Sequence, residues 1–181
     1  PQPSSALAPE PFARLGRAAM ALEAAGLRLV EGQLEDALAA QLRAGMEAWP
    51  PTSILELLQE EAPGGGTGLL RLCRHSARLR AEACQGLSRR VVRSVAAVTR
   101  SIKTSDQLPQ AQAELLAWAR IARRGSAAGI FRFDEAARSS VIDAMTKCTE
   151  RCMASPELML GIKLVQDMEW SMLVLVGAAG G

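Results

Sequence analysis

Between Leu69 and Lys103 apolar and basic residues recur with the period of an α-helix. At 100° per residue, Leu70, Cys73, Ala77, Cys84, Leu87, Val91, Val95, Val98 and Ile102 fall on one side. Arg71, Arg74, Arg78, Arg89, Arg93, Arg100 and Lys103 fall on the other. The pattern predicts one long amphipathic helix over 69–103, about 50 Å from end to end. Its apolar seam steps 70, 73, 77, 80, 84, 87, 91 and then slips by one to 95, 98 and 102, a spacing suited to shallow-angle helix packing. Arg80 is the single charge inside that seam. It is expected to snorkel past a short neighbour or to meet an acid from the N-terminal region.

The flanking segments are also helical in pattern. Residues 1–8 are rich in Pro and Ser and predict a flexible arm; a single helical domain is expected over 9–181. From Pro9 onward Leu15, Ala18, Leu22, Ala25 and Leu29 recur every three or four residues, and Leu34, Leu38 and Leu42 follow after a phase slip. This fits one kinked helix to Ala48 or two helices broken near Gly26–Gly32. Trp49-Pro50-Pro51 ends it, because proline disfavours helical geometry in the residue before it. Ser53 and Glu56 have capping-box spacing for a short helix. Ala62-Pro-Gly-Gly-Gly-Thr67 predicts a connector. After the long helix and the polar break at Thr104–Gln107, helices are expected over 109–124, 135–153 and 156–176. Arg123-Arg124-Gly125 would stop the first, Asp134 would cap the second and Ser155-Pro156 would start the third. A β-hairpin over 158–176 is the weaker alternative. The expected fold is all-α, a bundle of about five to seven helices organised around the long one.

Composition supports that class. The chain has 181 residues, no Tyr, three Phe and three Trp, so its core must be built from aliphatic side chains and Ala. The formal net charge is only +2, but it is segregated. Residues 1–67 carry a net −5, residues 68–103 a net +8 and residues 104–181 a net −1. The long helix therefore holds the whole positive excess. Four cysteines are too few for a disulfide framework and point to a soluble protein of a reducing compartment, either cytoplasm or an organelle matrix or stroma. The most apolar stretch, Leu158–Val176, is interrupted by Lys163, Asp167 and Glu169, so no transmembrane segment is expected.

Candidate chemistry is sparse. Gly64–Gly68 precedes a helix start but lacks the Gly-Lys-Ser/Thr of a phosphate loop. Cys148 and Cys152 share a helical face, yet zinc needs four suitable ligands and His75 is the only histidine. Paired acids such as Glu35/Asp36, Glu60/Glu61 and Asp134/Glu135 are sequence neighbours and do not face each other. No catalytic, cofactor or metal site is expected, and no motif is specific enough to name a family. The sequence instead suggests a non-catalytic scaffold or accessory subunit of a larger assembly. It would dock through Arg71, Arg74, Arg78, Arg89, Arg93, Arg100 and Lys103 onto protein subunits with acidic surfaces. The acidic N-terminal region of the chain itself is a competing counterpart. A nucleic-acid backbone, as for a ribonucleoprotein accessory factor, is the alternative partner. The pattern leaves the oligomeric state open.

Overall fold

The computed structural model describes residues 14, 16–18, 21–22, 24–26, 32–58, 69–159 and 162–178. These residues are helical or connect helices, and none of them is in a strand. The elements are α1 (Gln33–Ala48), α2 (Pro51–Leu57), α3 (Leu69–His75), α4 (Ala77–Ser101), a 3-10 turn (Ser105–Gln107), α5 (Leu108–Ala127), α6 (Glu135–Ala154), α7 (Pro156–Met159) and α8 (Ile162–Ala178). The arm at 1–8 and the glycine connector at 62–68 lie outside the described residues. Contacts gather into two compact units, Pro1–Leu87 with Ala127–Phe131 and Ser88–Ser126 with Arg132–Gly181. Helix α4 thus gives Ala77–Leu87 to the first unit and Ser88–Ser101 to the second.

The first unit shows how local chemistry sets helix ends. Gly26 and Gly32 sit at φ +80° and +72°, where side chains are disfavoured. A single helix cannot run through either glycine, so the reading with two separate helices holds. Trp49 is extended, as Pro50 requires, and its N–H donates to the Gly45 carbonyl at 2.7 Å. Helix α2 then begins at Pro51, which occupies the first turn at no hydrogen-bond cost. This corrects the expected Ser53–Glu56 capping box: Ser53 is already inside the helix.

The helix expected over 69–103 is two helices, α3 and α4, with Ser76 between them. The Leu79 N–H donates to Ser76 Oγ at 3.0 Å, so the serine caps α4. The same hydroxyl donates to Glu35 Oε1 at 2.5 Å. Helix α4 ends at Ser101, and Gln107 Oε1 accepts from the Lys103 and Thr104 N–H groups just beyond it.

Cys73, Leu87, Val91, Val95, Val98 and Ile102 of the expected apolar seam are buried, but its first half is shifted. Leu69, Leu72, Ser76, Leu79, Ala83, Leu87 and Val91 form the buried line, whereas Ala77 is exposed and Leu70 and Cys84 are half-buried. Leucines, which have more apolar surface to remove from water, decide the phase over Cys and Ala. The shift removes the Arg80 anomaly. Arg80 is exposed, outside the seam, and its Nε donates to the Cys73 carbonyl at 3.0 Å, satisfying an acceptor in the last turn of α3.

In the second unit, Asp134 caps α6 as expected, accepting the Ala137 N–H at 2.7 Å. Helix α5 runs past its expected stop to Ala127. Gly125 is buried within it, and the left-handed glycine is Gly129, at φ +71°. The segment expected over 156–176 is helical in α7 and α8, which excludes the hairpin there. Trp118 is fully buried on α5, with the half-buried Arg90 guanidinium 5.8 Å from its ring centroid.

Candidate interaction surface

Helix α4 carries a straight line of charge. At 100° per residue, positions 78, 82, 89, 93 and 100 lie within about 60° of arc, on the side away from the buried line of Leu87, Val91 and Val95. Arg78, Arg89, Arg93 and Arg100 are exposed, as is Lys103 just past the helix end. The side chains of Arg71 and Arg74 lie outside the described residues.

The two halves of the line have different surroundings. In the first unit Arg78 forms an ion pair with Asp36 of α1. Glu82, one turn on, accepts both Nε of Arg43 at 2.6 Å and Nη2 at 2.5 Å. The Arg43 pKa is raised by that hydrogen bond and by the charge of Glu82. Together with Ser76–Glu35, these contacts follow the same residue order on α1 and α4, so the two helices run side by side in parallel. At Gly86 the helices approach closely enough that an added Cβ would meet Met46 Cβ at 3.0 Å. The acidic N-terminal region is therefore the counterpart of Arg78.

In the second unit Arg89, Arg93 and Arg100 span about 16 Å of helix axis, with half-exposed Ala96 between the last two. Arg100 Nε donates to the Ala96 carbonyl at 2.7 Å, laying the guanidinium along its own helix. Beside Arg100, α4 and α6 enclose a depression of about 590 Å³ lined by Thr99, Ser140, Asp143, Lys147, Glu150 and Arg151 among others. Lys147 pairs with Asp143 at 2.7 Å, and Arg151 donates to the Thr99 carbonyl. Sequence reasoning left Lys147 and Arg151 unremarked. Their i, i+4 spacing was the available signal, but which helix faces them could not be read from it.

The cysteines sit elsewhere. All four are free thiols; Cys73, Cys148 and Cys152 are buried and Cys84 is half-buried. Burial pushes the Cys73 thiol up to about 12, against a smaller opposing effect of Arg80. Burial, aided by the neighbouring Cys152, pushes Cys148 up to about 11. These thiols are poor nucleophiles near neutral pH. Among the described residues no group of three or more His, Cys, Asp or Glu side chains could hold a metal ion. No described helix is long and apolar enough to cross a membrane.

A pH dependence follows. A raised thiol pKa in the native state means that the unfolded chain loses its proton first as pH rises. The stabilising contribution is complete below the ordinary thiol pKa and is lost as pH climbs from about 9 to about 12. The chain has no Tyr and only three Lys to titrate in that window. Denaturant midpoints should therefore fall across it, and less steeply in Cys73→Ala once its cavity cost is set aside. In the native state at about pH 8, iodoacetamide should label Cys84 first and the three buried thiols only after denaturation.

The chain matches no model of a known protein family, no curated protein and no solved structure.

Proposed function

We propose that the chain is a non-catalytic docking subunit whose second unit receives an acidic protein partner along Arg89, Arg93 and Arg100. One observation carries the reading: Arg89, Arg93 and Arg100 are exposed in a row along one face of α4 in the second unit, away from the Asp36 and Arg43 of α1 that pair with Arg78 and Glu82. Guanidiniums repeated on one helical face suit carboxylates of a partner, because each can form paired, charge-assisted hydrogen bonds. Lys147 and Arg151 extend the positive charge beside Arg100, and Asp143 and Glu150 set where it stops. Four free thiols are in keeping with a reducing compartment.

A nucleic-acid backbone is the second reading, since the same arginines are spaced to meet successive phosphates. Against it, Trp49 and Trp118 are buried and cannot stack on bases, and the exposed Trp170 lies on α8 rather than on the arginine-bearing helix. Affinity purification from the native source, with salt washes, separates the two. The proposed reading expects acidic protein chains to co-purify and to leave as salt rises. Recovery of nuclease-sensitive material alone would favour the second reading and overturn the first.

A further inference from the structure

We propose that the chain associates with a second copy of itself through α6 and α8, each copy placing Trp170 in the other's groove. This inference is independent of the arginine line and rests on a different face. Helix α6 has two apolar faces. Val141, Met145, Cys148 and Cys152 are buried in its own unit, whereas Ile142 and Met153, with Thr146 between them, point outward. Ile142 and Met153 are 49% and 64% exposed. Between this outer face and α8 lies an open groove of about 430 Å³, walled by Val141, Ile142, Met145, Leu173 and Val176. On α8, Leu173 lines the groove and is 66% exposed, and Trp170, one turn earlier on the same helix, is 68% exposed.

The knob and the hole belong to the same small patch, one to two turns apart on α8. That is the requirement for an isologous pair: a two-fold axis passing between them exchanges knob and hole, and both copies are satisfied at once. The groove also selects its occupant. Its walls are apolar, but Thr146 and Glu150 bring acceptor oxygens to its edge. A buried indole needs an apolar bed for the ring and one acceptor for its N–H, and Trp is the residue type most often found as an interface anchor in a pocket. The outward side chains of Trp170, Leu173, Ile142 and Met153 offer roughly 400 Å² of apolar surface per copy, near the apolar share of the ~800 Å² each partner gives to a standard interface.

The test uses the full chain and its own tryptophans. Of the three, Trp49 and Trp118 are 3% and 0% exposed, so collisional quenching by acrylamide reports Trp170. Sedimentation equilibrium should show twice the chain mass at high concentration, dissociating on dilution, while Trp170 quenching rises in step. Trp170→Ala, and separately Thr146→Arg on the exposed groove edge, should give monomers at every concentration with unchanged helical circular dichroism. A chain that stays monomeric over about a hundred-fold range of concentration, with Trp170 quenchable throughout, would overturn the proposal whatever else it binds. So would a dimer that survives both substitutions.

Discussion

Replacing Trp118 with alanine is expected to destabilise the protein by about 3–5 kcal/mol, a large share of the ~5–15 kcal/mol that holds a typical domain folded. The ring has no exposed surface, so the whole indole is removed from a filled interior. Its removal also uncovers the underside of Arg90, whose guanidinium lies over the ring and whose Nε is buried without a hydrogen-bond partner among the described residues. Trp118→Phe should be much milder. The indole Nε1 is itself buried without a partner among the described residues, so phenylalanine keeps most of the packing and discards an unsatisfied donor. Urea midpoints for the pair measure this directly. Equal losses in the two variants would mean that the indole N–H has a partner not seen in this fold.

Gly45→Ala should also destabilise, although helix propensity alone favours alanine by about 1 kcal/mol. Gly45 lies in the last turn of α1, and the Trp49 indole folds back over it. A Cβ at position 45 would overlap Cζ2, Cε2 and Cη2 of that ring. Trp49 is only 3% exposed and is followed by two prolines that restrict the backbone, so it cannot step aside cheaply. Overpacking of this kind costs about 1–3 kcal/mol, and displacing the ring into water adds lost burial. The expected net loss is about 2 kcal/mol. Thermal melts of Gly45→Ala beside Gly177→Ala, an exposed glycine of α8 where an added Cβ would meet nothing within 4 Å, separate the two effects. Stabilisation at both positions would show that Trp49 does not pack on Gly45.

The helical class and most helix boundaries could be read from the chain because they depend on local chemistry. The prolines at 50 and 51 separate α1 from α2, Asp134 caps α6, and glycines with positive φ end or begin helices. The phase of the α3–α4 seam could not be read as easily. Leu69, Leu72 and Leu79 bury one line, and counting Leu70, Ala77 and Cys84 with it rotates that line by about one residue. The false phase placed Arg80 in the core. The break at Ser76 was hidden for a related reason: Glu35, which holds its hydroxyl, is 41 residues away. Of the charged line, Arg78, Arg89, Arg93 and Arg100 were legible from spacing alone. That Asp36 takes Arg78, while the other three stand exposed in the second unit, depends on tertiary packing that periodicity does not encode.

The assignment of docking to Arg89, Arg93 and Arg100 rather than to Arg78, which pairs with Asp36, is the central claim, and charge reversal in each half of the line tests it. A labelled poly-glutamate peptide, followed by fluorescence anisotropy at low and moderate salt, serves as the acidic partner. The account predicts that Arg89→Glu with Arg93→Glu abolishes binding while the chain stays folded, as its helical circular dichroism would show. Arg78→Glu should keep the binding and lose only the ~0–1 kcal/mol typical of an exposed ion pair. Binding that survives the double reversal, or that is lost equally with Arg78→Glu, would contradict it.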